Sequence, residues 1–148
     1  MKIWHLFFIY VFAFAAFADD TNAPSSRMMP VRAFVGDTYA PTTNHIVLKY
    51  VGTASEKIAG LWFELVDAMP IWASPSPPTG CVVVEFRILP DGHVVDLKTI
   101  STNGIDQRLF APCKRAILDS APFASWPVEM RQICTNGYCV IHFPFAYR

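Results

Sequence analysis

Cys81, Cys113, Cys134 and Cys139, together with His45, His93 and His142, are the residues of this sequence whose types could do chemistry. A thiolate attacks carbonyl or disulfide centres, and thiolates with imidazoles bind zinc. The spacing favours neither use. Cys134 and Cys139 are separated by four residues, not by the two of a thiol oxidoreductase motif. The histidines are scattered and match no ligand pattern with the cysteines. Lys114 and Arg115 would lower the pKa of a free Cys113 thiol, but a bridged cysteine is no nucleophile. No glycine-rich phosphate loop occurs, and no nucleophile elbow organises the Ser, His and Asp residues. Asp91 belongs to a turn rather than to acid–base work. The sequence thus predicts no enzyme, no metal and no cofactor, and no small-molecule substrate is inferred.

The N-terminus sets the compartment. Met1-Lys2 is a short basic start, Ile3 to Phe14 is almost unbroken apolar sequence, and Ala16-Phe17-Ala18 is a small-residue cleavage signal before Asp19. The apolar stretch is shorter than the roughly 20 residues of a spanning helix, and His5 interrupts it. Residues 1–18 read as a cleaved signal peptide and the protein as periplasmic, with a retained membrane anchor as the competing reading. In an oxidising compartment an even number of cysteines reads as disulfides, and four cysteines allow three connectivities. The formal net charge is zero, and no basic run marks a nucleic-acid footprint.

The elements that would position these residues follow from periodicity. Residues 19–44 hold Pro24, Pro30 and Pro41 and no sustained period, so they read as an extended leader that packs, if at all, through Val31, Ala33, Phe34 and Val35. From about Tyr50 the spacing of Ile58, Leu61, Trp62, Leu65 and Met69 predicts a helix, with Thr53 and Glu56 as a capping box and Pro70 as its stop. Pro75, Pro77 and Pro78 make the next stretch irregular. Val82, Val84, Phe86 and Ile88 alternate with Val83, Glu85 and Arg87, the mark of a strand. Pro90-Asp91-Gly92 reverses it into a second strand running to about Ile100. Asp106 can cap a helical turn, and a firmer helix is expected from Pro112 to Ser120, with Cys113 on its sheet-facing side. Asn136-Gly137 is the favoured pair of a type I′ hairpin turn. That register sets Cys134 opposite Cys139 at a non-hydrogen-bonded pair, about 4.5 Å between Cα atoms, within disulfide range. Pro144 lacks an N–H, which predicts the last strand to be an edge.

In this order the pieces resemble the TonB/TolA C-terminal family over about Tyr50 to Tyr147. Tyr50, Ile58 and Trp62 are similar to its first-helix spacing, and CVVVEFRILPDGHVVDLKTI to its cysteine-led strand and Pro-Asp-Gly turn. STNG, CKRAILDSAPFASWP and IHFPFAY resemble the segments that follow. The resemblance implies an α+β domain over residues 45–148: helix, β-hairpin, helix and strand, with a three-stranded antiparallel sheet covered by helices on one face. It also implies a Cys81–Cys113 bridge, with Cys134–Cys139 as a departure from the family. The family's energy-coupling role needs an anchor and a long spacer, whereas its binding role needs only the domain.

A strand order of second, first, third leaves two edges whose unpaired backbone can accept an extended peptide. Pro144 blunts one of them. The other, with His93, Val94, Asp96, Lys98 and Ile100, is the expected partner-binding edge. The expected function is an exported, non-enzymatic module that binds an envelope or outer-membrane-associated protein or peptide, and no nucleic acid. A signal-anchored minimal component of a transport complex and an inhibitor or immunity-like protein are the alternatives.

Overall fold

The computed structural model describes residues 31–35, 41–70 and 78–147. The signal peptide, most of the leader and Pro75 and Pro77 lie outside these residues. The described chain runs β1 (Arg32–Phe34), α1 (His45–Asp67), β2 (Gly80–Ile88), β3 (Val94–Asn103), α2 (Phe110–Ser120), α3 (Val128–Ile133) and β4 (Cys139–Tyr147). It is a mixed α/β fold with a four-stranded sheet in the order β1-β4-β2-β3, antiparallel at every pairing.

Helix α1 starts earlier than its apolar period suggests. The Asn44 side chain caps it, accepting from the Ile46 N–H at 3.0 Å. Thr53 is no cap; its hydroxyl donates to the Lys49 carbonyl one turn back, at 3.3 Å. Val47, Val51, Ala54, Ile58, Trp62 and Val66 recur every three or four residues and are buried. Leu61, Leu65 and Met69 flank that stripe, half-buried.

The first predicted hairpin is present. The Gly92 N–H donates to the Leu89 carbonyl at 2.9 Å, and Gly92 itself takes φ 87°. Val82, Val84, Phe86 and Ile88 of β2 face the helices, and Cys113, Ala116 and Ile117 of α2 join the same core. Helix α2 begins at Phe110, so Pro112 sits within its first turn, where an N–H has no helical acceptor anyway. Residues 121–127 form an extended strap that clasps the hairpin turn. The Phe123 N–H donates to the Gly92 carbonyl at 2.9 Å and the Trp126 N–H to the Pro90 carbonyl at 3.0 Å.

Three expectations are corrected. The sheet has four strands, because β1, a three-residue piece of the leader, pairs with β4 from Phe34↔Val140 to Arg32↔His142. Strand β4 is therefore interior, between β1 and β2, and Pro144 is buried opposite Val83. Among the described residues β1 ends opposite His142, so the ladder on that side stops short of the residue that lacks an N–H. There is also no second hairpin. Helix α3 occupies the place of its first strand, and the Gly137 N–H donates to the Cys134 carbonyl at 3.1 Å, which puts Thr135 and Asn136 at the centre of the turn. Asn136 does not take the positive φ that a type I′ turn demands; Gly137, at 74°, does.

Candidate functional site

The expected binding edge is the outer margin of β3, and its geometry is set by two bulges. Val94 and Val95 pair with Ile88 and Arg87; Asp96 and Leu97 then stand against Phe86 alone before Lys98 pairs with Glu85. Asp96 takes φ 53°, a left-handed conformation that Asp tolerates better than most residues. Its carboxylate accepts from Arg87 Nη1 at 2.8 Å, and the Arg87 guanidinium lies 4.4 Å over the Tyr138 ring. Ile100 is the second extra residue, between Thr99↔Val84 and Ser101↔Val83. Bulges break the regular row of backbone groups that an added strand needs, so the half of the margin around Asp96 is blunted.

The five edge residues thus have unlike positions. His93 is in the turn, not the strand: its carbonyl accepts from Leu89 N–H at 2.9 Å and its N–H donates to Asp91 Oδ1 at 3.0 Å. Val94 is half-buried opposite Ile88. Asp96, Lys98 and Ile100 are brought together along the exposed margin. At the other side of the sheet, β1 bridges to Pro41, and the Thr42 N–H donates to the Ala33 carbonyl at 2.8 Å, so that margin is partly occupied.

On the sheet face turned away from the helices, Arg32, His142, Glu85 and Lys98 are in register, one from each strand. Glu85 Oε2 is 2.7 Å from His142 Nε2, and Glu85 Oε1 is 2.7 Å from Lys98 Nζ. The Phe34 ring lies 4.4 Å from the imidazole. Burial alone would raise the Glu85 pKa, but the hydrogen bonds from Lys98 and His142 outweigh it and the net shift is downward. Both carboxylate oxygens are engaged, which suits a structural tie across three strands better than proton transfer. Sequence reading placed Glu85 on the mixed face but missed its partners. An acid inside the run Val82–Ile88 signals a paired charge, whereas the identity of the pair depends on register.

The four cysteines are thiols in the structure, so neither the Cys81–Cys113 nor the Cys134–Cys139 bridge is formed. Strand alternation explains the first case: Cys81 shares the face of Val83 and Glu85, while Cys113 sits in the core on the other side. Cys113 Sγ is 3.2 Å from the Leu109 carbonyl and 3.2 Å from the Tyr147 hydroxyl, which itself donates to the Leu109 carbonyl at 2.9 Å. Burial pushes the Cys113 thiol up to about 12, against the lowering expected from Lys114 and Arg115. Cys134 and Cys139 do meet, hydrogen-bonded to each other across the α3–β4 turn. Their contact lowers the pKa of Cys134 and raises that of Cys139, and Cys139 Sγ also lies 3.7 Å from the Phe34 carbonyl.

No family model, no curated protein and no solved structure matches this chain. Among the described residues no three His, Cys, Asp or Glu side chains are grouped so as to hold a metal ion, and no helix is long and apolar enough to cross a membrane.

Proposed function

We propose that this chain is an exported, non-enzymatic protein-interaction module of the TonB/TolA C-terminal type, taking an extended segment of an envelope protein by strand addition at β3. The observation that carries this reading is the margin itself. Among the described residues β3 is the last strand of the sheet and pairs with β2 alone, while β1 on the opposite side is bridged by Pro41. Strand addition needs extended backbone with outward donors and acceptors, and side chains that do not wall it off. The bulge at Asp96 moves the acceptor toward the C-terminal part, Leu97 to Asn103, where Lys98, Ser101 and Thr102 are exposed. In the exported protein the contact between Cys134 and Cys139 is the pair suited to oxidation to a local bridge.

Photo-crosslinking in the cells that make the protein tests the surface. A benzophenone side chain placed at Lys98 or Ser101 should give discrete protein adducts, and one placed at Glu64 of α1 should not. Adducts from Glu64 with none from β3 would move the binding surface to the helical layer. Mass spectrometry of the mature N-terminus tests export separately, with Asp19 the expected first residue.

A further inference from the structure

We infer that Cys134 and Cys139 are a reversible dithiol–disulfide couple, and that closing it locks α3 and the strap before it onto the first hairpin turn. This goes beyond the strand-addition reading and does not rest on it. The two thiols, hydrogen-bonded to each other, belong to elements of unequal freedom. Cys139 is wholly covered and begins β4, where it pairs with Ile88 of β2 and has its Sγ 3.7 Å from the Phe34 carbonyl of β1. Cys134 is the C-cap of α3, a six-residue helix whose one buried side chain is Met130. Between the two, Thr135 and Asn136 are exposed, and a Cβ at Gly137 would meet nothing within 4 Å. Thiols in hydrogen-bond contact stand farther apart than the roughly 2.05 Å of a disulfide. Bond closure therefore draws the C-terminal end of α3 toward the sheet, while β4 keeps its register. No other cysteine competes for Cys139. Cys81 stands opposite Ala146, at the other end of the β2–β4 ladder, and Cys113 is enclosed beside Leu109 and Tyr147.

Helix α3 follows the strap directly. Pro127 is its N-cap, and Trp126 and Phe123 donate to the turn carbonyls of Pro90 and Gly92. In the reduced chain the strap and α3 can lift as one unit. The bridge tethers the far end of that unit to β4, so the lifted state loses conformational freedom and is populated less. The short loop also makes the couple reversible. With four residues between the sulfurs, the bridge adds little to global stability, and the reduced chain already has the complete fold with both thiols buried. The reaction is an exchange with an external disulfide. Cys134 attacks, because it adjoins the exposed turn and its contact with Cys139 favours its thiolate. The Cys134 thiolate bonds to one external sulfur and expels the other, which takes up the Cys134 proton. Cys139 then attacks the Cys134 sulfur and expels the remaining external sulfur, which takes up the Cys139 proton. Two protein thiols are oxidised by two electrons, and one external disulfide is reduced to two thiols.

The full chain, reduced and then equilibrated in mixtures of glutathione and glutathione disulfide, is quenched in acid, alkylated and mapped by mass spectrometry. A single protein bridge, Cys134–Cys139, is expected, and dithiothreitol should return it to thiols with the circular dichroism of the fold unchanged. In the oxidised form the amides of Phe123, Trp126 and α3 should exchange about tenfold more slowly than in the reduced form, and those of Val140 to His142 at the same rate. Cys139→Ala should trap glutathione at Cys134, whereas Cys134→Ala should trap none at Cys139. The reverse pattern would overturn Cys134 as the attacking thiol. Four thiols at every ratio, a bridge that involves Cys81 or Cys113, or one that reverses only on unfolding would overturn the couple. Equal exchange at Phe123 and Trp126 in the two forms of the unsubstituted chain would overturn the lock. None of these readouts uses a partner, so the failure of strand addition at β3 would leave them unchanged.

Discussion

Two reversals lie at the same end of the sheet, since Ile88 at the end of β2 pairs with Cys139 at the start of β4. They use one backbone device. In each, a glycine N–H closes a turn on the carbonyl three residues back, Gly92 to Leu89 at 2.9 Å and Gly137 to Cys134 at 3.1 Å. Each glycine then takes a left-handed φ, 87° and 74°. They differ in what they join and in what packs on them. The first links two strands and is clasped by the strap at Phe123 and Trp126. The second links α3 to β4, and a Cβ at Gly137 would meet nothing within 4 Å. Turn chemistry therefore encodes that the chain reverses; what arrives at the turn, and how tightly the turn is held, come from elsewhere in the molecule.

The sharpest way to break this comparison is Gly92→Ala. A Cβ there would collide with the Phe123 carbonyl, so the strap must move away. The left-handed conformation costs roughly 1–2 kcal/mol with a Cβ. The two strap hydrogen bonds contribute about 1 kcal/mol each. A loss of about 3 kcal/mol in urea-unfolding free energy is expected, with the largest amide shifts at Phe123 and Trp126. A loss near 1 kcal/mol, the same as at Gly137, would show that the clasp contributes nothing.

The strands that leave the two turns are tied by Glu85 of β2 and His142 of β4, and this tie should be next in size. Glu85→Gln at neutral pH is expected to cost about 2 kcal/mol, the scale of hydrogen bonds to a charged group. The sign of its pH dependence follows from the downward shift. The folded carboxyl keeps its charge to lower pH than the unfolded one, which protonates near about 4.3. The contribution is thus complete above that value and is lost as pH falls through the folded pKa. The stability gap between wild type and Glu85→Gln should be constant around neutrality and close below about pH 4. A gap that persists in acid would mean that Glu85 acts through packing alone.

What was legible in the sequence divides along the same line. The first hairpin was readable because its signals are local: Pro90, Asp91 and Gly92 set the turn, and period-two apolar residues set the strands. The buried stripe of α1 was half-readable. Ile58 and Trp62 declared it, but the cap at Asn44 was displaced by the local capping pattern of Thr53 and Glu56. At the second turn Asn136-Gly137 outweighed the helix-forming run Glu129, Met130, Arg131 and Gln132 after Pro127, a start signal that was present and passed over. Strand β1 offered no such signal. Three residues have no period, and their strand state depends on β4 and on Thr42. Of the candidate site, the margin of β3 was legible from topology, whereas its bulges and the Glu85 partners depend on register.

Gly137→Ala measures the second turn without a clasp. With open space around the Cβ, only the left-handed backbone is penalised, and a loss of about 1 kcal/mol is expected. Gly137→Asn should cost less, because Asn tolerates that conformation. Equal losses for Gly137→Ala and Gly92→Ala would erase the distinction between an open and a clasped reversal.

The smallest effect should come from Tyr50→Phe, which acts on the clasp from outside the turn. The Tyr50 hydroxyl donates to the Ala124 carbonyl at 2.6 Å, between the two strap residues that bond the first reversal. Burial pushes its pKa up to about 12, with the nearby Asp91 carboxylate acting in the same direction, so the proton that makes this bond stays in place at any ordinary pH. Lys57 helps to seat the same segment, its ammonium 5.8 Å above the Phe123 ring. One neutral hydrogen bond contributes about 0.5–1 kcal/mol, too little to unfold the domain but enough to loosen the strap locally. Hydrogen exchange reads that directly: the Phe123 and Trp126 amides should exchange about threefold faster in Tyr50→Phe, while the Gly137 amide is unchanged. Faster exchange at both turns would mean that α1 steadies the whole end of the sheet rather than the clasp, and the two reversals would then share one support.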